Sequence, residues 1–165
     1  MDRINFVFLI ILLLAGCAVQ TQQAGPAEPV DSESFLEQPF SNPLTLQYFQ
    51  EVKKDDFRLR RFIRTLGSDT TRKDTIYKFS KKNDSYLFYK TRDHESFFLT
   101  ATIKNRKTLF RGGLYPGMKK AAFIDQMTDI TSAEDTLKIQ SPERQAIFIF
   151  GKRGHLEEIQ LNNYF

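Results

Sequence analysis

"TIYKFSKKNDSYLFYKT", residues 75–91, is the stretch on which the fold turns. Two runs rich in β-branched and aromatic residues, 75–80 and 85–91, stand on either side of the polar Lys81-Lys82-Asn83-Asp84. Such runs suit a pleated surface and Asn and Asp suit turns, so the spacing predicts an antiparallel hairpin. The same grammar returns downstream. "SFFLTATI" (96–103) and "TLFRGG" (108–113) flank "KNRK", and "TLKIQ" (136–140) and "AIFIFG" (146–151) flank "SPER". "HLEEIQLNNYF" (155–165) follows, and each of these runs reads as a strand.

The hairpin also lies inside an internal echo. Displaced by 61 residues, Phe62–His94 falls without gaps on Phe123–His155, and eight of the 33 pairs are identical. Each copy opens on an apolar stripe, at i, i+3, i+4, i+7 in the first and at a similar helical spacing in the second. These are Leu59, Phe62, Ile63 and Leu66 in the first copy, and a stripe of Met118, Ala122, Phe123 and Met127 in the second. That spacing predicts a helix in each, started by Asp56 as N-cap and by Pro116-Gly117. A further helix is expected from Pro43 to about Lys54, with Asn42 as its cap. The fold class is therefore α+β: two tandem helix-plus-antiparallel-strand units, residues 43–104 and 105–165, forming one small domain with its helices on one sheet face. Residues 17–42 are expected to be a flexible linker, because 18–34 are polar, small and proline-bearing.

Ahead of the linker, "FVFLIILLLA" (6–15) is apolar throughout and follows Arg3. A spanning helix takes about 20 apolar residues, so this run reads as the core of a secretory signal peptide, residues 1–16. "LAGC", Leu14-Ala15-Gly16-Cys17, resembles the lipobox of bacterial lipoproteins. The resemblance implies cleavage before Cys17 and acyl chains on its thiol and amine. It makes sense of a chain with a single cysteine. Stable anchoring takes more than one chain, which multiple acylation supplies. Ala18, standing where aspartate signals inner-membrane retention in that family, implies the outer membrane. The absence of acidic residues in "AVQTQQ" favours the periplasmic face.

A second resemblance is confined to Tyr115–Met127. "YPGMKKAAFIDQM" resembles the Gly-Met helix start of small envelope lipoproteins of the SmpA/OmlA type. Tandem helix-plus-sheet units also resemble the β-lactamase-inhibitor-protein fold. These likenesses imply a fold class, and in the first family an accessory place in outer-membrane assembly or maintenance. In that family, however, the motif sits soon after the lipidated cysteine and not in a second unit.

Catalytic chemistry finds little footing. His94 and His155 are the only histidines, and a zinc shell would have to recruit Asp93, Glu95, Glu157 or Glu158 around both. They read as turn residues, and no metal or other cofactor is expected beyond the lipid on Cys17. No Gly-x-Ser-x-Gly elbow is present, and the neighbours in Asp93-His94-Glu95-Ser96 point to alternate strand faces. "GGLYPGMKK" has phosphate-loop glycine spacing, but Met118 stands where lysine is required. No pair among the 20 acidic residues stands out for sugar hydrolysis.

Basic residues are the better lead in a chain of formal charge +4. Arg58, Arg60, Arg61 and Arg64 are expected on the solvent side of the first helix, and Lys119 and Lys120 on the second. "KNRK" and "GKRGH" add two more clusters. The expected function is non-enzymatic: a lipid-anchored domain that presents these surfaces to an envelope protein, with anionic lipid or lipopolysaccharide phosphates as other anionic partners. The export signal argues against nucleic acid. The rival reading is a periplasmic ligand binder or inhibitor using the sheet face opposite the helices, and a hydrolase stands third. Replacing Cys17 with Ser (Cys17→Ser) is expected to leave a full-length precursor that takes up no radiolabelled palmitate. Normal processing and membrane attachment of that variant would contradict the lipobox reading.

Overall fold

The computed structural model describes residues 27–40, 42, 44–51, 53, 56–66, 69–132 and 134–163. Cys17, the signal segment and the last two residues lie outside them. The elements run α1 (Ser32–Glu37), α2 (Leu46–Glu51), β1 (Arg58–Leu66), β2 (Asp69–Lys81), β3 (Asp84–Lys90) and β4 (Ser96–Ile103). A 3-10 turn (Arg111–Gly113), α3 (Lys120–Gln126), β5 (Thr136–Gln140), β6 (Arg144–Phe150) and β7 (Leu156–Asn163) follow. Among the described residues the strands form one antiparallel sheet ordered β1-β2-β3-β4-β7-β6-β5.

The helices cover one face of that sheet. Alternation along the strands turns Tyr86, Phe88, Ala101, Ile103, Ala146, Phe148 and Leu161 inward, all buried. The helices meet them with aromatic rings. Phe35 of α1 lies 5.4 Å from Phe148, Phe49 of α2 lies 5.2 Å from Phe88, and Phe123 of α3 lies 4.8 Å from Phe148. Tilted pairs at these separations add to the area they bury. The opposite face carries a polar ladder, in which Thr100 donates to Asn162 (2.9 Å) and Asn162 to Gln145 (3.2 Å).

Strands β3, β4 and β5 and helix α3 fall where their patterns place them. The helix expected at 59–66 is instead the strand β1. Of its supposed apolar stripe Leu59 packs against the core, whereas Phe62 and Ile63 are 50% and 67% exposed. The even-numbered Arg58, Arg60 and Arg64 fit a two-residue period, and pairing with β2 along its whole length supplies backbone hydrogen bonds that a lone surface helix would need packing to hold. Of the stripe around α3, Met118, Phe123 and Met127 face the core but Ala122 does not. In α2, the hydroxyl of Thr45, not Asn42, accepts the Tyr48 amide.

Two further expectations are corrected. Residues 27–40 are part of the body, not of a linker: Asp31 accepts the Ser34 amide (2.8 Å) to start α1, and Val30, Phe35, Leu36 and Phe40 are buried. "TLFRGG" is not a strand. It makes one bridge, Phe110 to Phe40, and then turns on Gly112 and Gly113 at φ 70° and 67°. A Cβ on Gly112 would lie 2.4 Å from Val30, so glycine is required there twice over.

The sheet has a numerical regularity. Advanced by sixty residues, β3 becomes β6 and β4 becomes β7 at both ends. The turn bonds repeat as well: Thr91 N–H to Glu95 and His94 N–H to Thr91 recur as Gly151 to His155 and Gly154 to Gly151. The interval in the backbone is thus sixty and not 61, and His94 corresponds to Gly154, which shares its φ of 66°. We expect Phe148→Ala to cost about 3–5 kcal/mol in urea unfolding. Phe62→Ala is expected to stay within about 0.5 kcal/mol; comparable losses would contradict this burial.

Candidate functional site

The β4–β7 pairing, Thr100–Ile103 against Ile159–Asn162, sets the end of β4 beside the start of β7. The loop that leaves β4 therefore lies next to the turn that enters β7. Asp84, buried at the start of β3, fixes that loop by accepting the amides of Lys104 (2.8 Å) and Asn105 (3.0 Å). The segment 117–120 then pairs alongside 154–156. Gly117 donates to the Leu156 carbonyl (2.6 Å), Leu156 to Met118 (2.9 Å) and Lys120 to Gly154 (2.8 Å). Gly117 takes φ 107°, and the Arg106 side chain lies over it.

These contacts gather three separate basic segments, 104–107, 119–120 and 152–155, at one end of the sheet. The first and third border an open concavity of about 890 Å³, lined in part by Lys104, Arg106, Lys152, Arg153 and His155. Lys119 bridges to His155 through the backbone. Lys120 bonds Asp135 (2.9 Å) with its ammonium 5.1 Å from the centre of the Phe150 ring. Lys104 pairs with Glu158 (2.5 Å), and Glu157 lies against Gly151. Its lining sets Lys104, Arg106, Lys152 and Arg153 against Asp135 and Glu157, so the concavity is positive.

The pair beneath the concavity is electrostatically tuned. Burial pushes the Glu158 carboxyl up, but hydrogen bonds from Lys104 and Gln160 outweigh it and hold the group below its ordinary range. The same hydrogen bond and the charge of Glu158 raise Lys104.

The other expected basic group is not brought together. Arg58 to Arg64 spread along edge strand β1, roughly 20 Å at the usual rise per residue. Arg58, Arg60 and Arg64 share the polar sheet face, whereas Arg61 sits 5.7 Å over Tyr77 on the other. Charged side chains on an exposed edge guard it against pairing with another chain, which accounts for much of this cluster. The two histidines also stay apart, His94 in the turn before β4 and His155 at the far end of the same strand pair. No group of three His, Cys, Asp or Glu among the described residues is placed to hold a metal.

Sequence singles out Lys119 and Lys120, and shows "KNRK" and "GKRGH" as clusters without placing them side by side. Asp84 is missed as more than a turn residue. Its signal was a single carboxylate one strand away from the basic loop.

The chain matches no family profile, no curated protein and no solved structure. Among the described residues no helix is long and apolar enough to cross a membrane.

The Lys104–Glu158 pair makes a prediction in acid. A carboxyl held low stabilises the fold above its unfolded value of 4.5, and that contribution is lost as pH falls through the folded value. Because the Lys104 side chain is 45% exposed, Lys104→Met is expected to cost no more than about 1 kcal/mol at neutral pH. Parent and variant stabilities should converge in strong acid. A gap that persists at low pH would contradict the pairing.

Proposed function

We propose that this chain is a lipid-anchored protein of the bacterial outer membrane that works by binding, and that the positive concavity is the surface it presents to an acidic envelope protein. The observation that carries the reading is the convergence of 104–107, 119–120 and 152–155. Two basic segments far apart in sequence line one open concavity and a third, 119–120, is bonded alongside His155 and Gly154, whereas a merely solvated chain has no need to gather its cations. Complementary charge of this kind steers encounter and sets register more than it adds affinity.

The anchor follows from Leu14-Ala15-Gly16-Cys17. Residue 27 already belongs to the folded body, so the reach from Cys17 is short. Ten residues span at most about 35 Å even when fully extended. A domain so tethered works near the periplasmic face of the membrane, within range of partners embedded there.

In the same reading the chain is built from two units, each a helix leading into antiparallel strands, joined at β4 and β7. The sixty-residue interval between β3–β4 and β6–β7 supports this. A place in outer-membrane assembly or maintenance fits such a tethered docking module, as the likeness to SmpA-type lipoproteins implies.

The test is crosslinking in intact envelopes from a photoreactive residue at Lys119 of the full chain. We expect a discrete protein adduct that Arg106→Glu with Arg153→Glu abolishes and Arg58→Glu with Arg64→Glu leaves in place. An adduct indifferent to the first pair, or one containing only lipid or lipopolysaccharide, would overturn this partner assignment.

A further inference from the structure

A second hollow lies at the same end of the sheet, on the side of β1 to β3. Its volume is about 440 Å³, within the range of small-molecule sites. The floor is aromatic. Phe49 lies 4.7 Å from Tyr86 and 5.4 Å from Phe57, and Phe57 meets Tyr86 edge-on at 5.5 Å. Leu44 and Leu109 form walls, and Leu109 is 55% exposed at the lip. Leu44, Tyr48 and Phe57 beside it are only partly buried, so the hollow presents a contiguous apolar surface to an occupant.

The polar groups of this hollow are segregated to its rim. Lys81 bonds Asp56 (2.9 Å), and Lys53 approaches the same carboxylate at 3.6 Å, so one acid is shared between two cations. That hydrogen bond and charge from Lys81, followed by Lys53, hold the Asp56 carboxyl below its ordinary range. Lys107, exposed, also lines the hollow. Asp84 also lines the hollow, but its carboxylate is directed to the amides of Lys104 and Asn105. Three lysines therefore line a hollow with an aromatic floor, and the Asp56 carboxylate among them is paired with Lys81 and Lys53.

We propose that this hollow binds a single-tailed amphiphilic anion: a hydrocarbon chain on Phe49, Phe57 and Tyr86, with an anionic head held by Lys81 and Lys107. Hydrocarbon burial is non-directional and needs only the floor. A carboxylate or phosphate head needs donors, and ammonium groups are the stronger kind. The proposal does not depend on the lipid anchor or on the concavity around Arg153, which lies on the other side of the 104–107 loop.

The probe is a ten-carbon carboxylate with a terminal diazirine, applied to the full chain held in phosphatidylcholine nanodiscs. We expect adducts on peptides that carry Phe57 or Leu109. Decanoate and decyl phosphate are expected to displace the probe, and their order separates a fatty-acid source from a phospholipid-derived one. Decanol should compete about tenfold less well, the usual scale for loss of a charged hydrogen bond. Lys81→Gln with Lys107→Gln should cut labelling about tenfold by the same reasoning, and Lys152→Gln with Arg153→Gln should leave it unchanged. Lys107, Lys152 and Arg153 are exposed, but Lys81 is ion-paired with Asp56. The thermal midpoint of each variant is therefore read beside its labelling, and a loss of about tenfold in the first at an unchanged midpoint is the expected result. Equal competition by decanol, undiminished labelling of the first variant, or labelling confined to other peptides would overturn the proposal.

Discussion

Four residue pairs hold the molecule together as one sheet: Thr100 with Asn162, Ala101 with Leu161, Thr102 with Gln160 and Ile103 with Ile159. Without them β1–β4 and β5–β7 would be separate meanders, each with an unpaired edge in its middle. The junction is sealed on one side by Ala101, Ile103, Ile159 and Leu161, all buried. Each large aliphatic side chain so buried contributes about 1.5–3 kcal/mol. On the other side Thr100, Asn162 and Gln145 link the strands through side-chain hydrogen bonds. The same junction fixes which loops become neighbours, and so it assembles the positive concavity.

The helices reinforce that junction by crossing over it. Helix α1 precedes the first strands in the chain, yet it packs on β5 and β6, while α2 packs on β4. Arg144, at the start of β6, donates to the carbonyls of Leu36 and Glu37 and satisfies the end of α1. The two halves of the sheet are therefore interlocked through the N-terminal segment, and neither has a complete core of its own.

Much of this was legible before the structure and some was not. Hairpin runs with polar turns between them located β3, β4 and β5 closely, because alternation and turn chemistry are local properties. Helix α3 was legible for the same reason. Strand β1 was misread since Leu59, Phe62 and Ile63 satisfy a helical spacing by accident. The two-residue alternation of its arginines was the truer signal, and the long β2 that pairs with it is a non-local fact. Segment 27–40 looked like linker because only a few of its residues are large and apolar, but Phe35 and Phe40 find aromatic partners in Phe148 and Tyr86 on distant strands, and Val30 and Leu36 are buried in the same core. Of the site, the basic clusters could be seen one by one. Their convergence could not, because it depends on the β4–β7 register and on Asp84 restraining a loop twenty residues away.

The measurement closest to the heart of this account is a set of interstrand Hα and amide NOEs on the isotope-labelled chain. Cross-peaks joining Ala101 to Leu161 and Ile103 to Ile159 are the predicted result, since they place Lys104 and Lys152 at a common end. Peaks that pair β4 with a different strand, or with β7 slipped in register, would separate the basic segments and remove the surface on which the binding role rests.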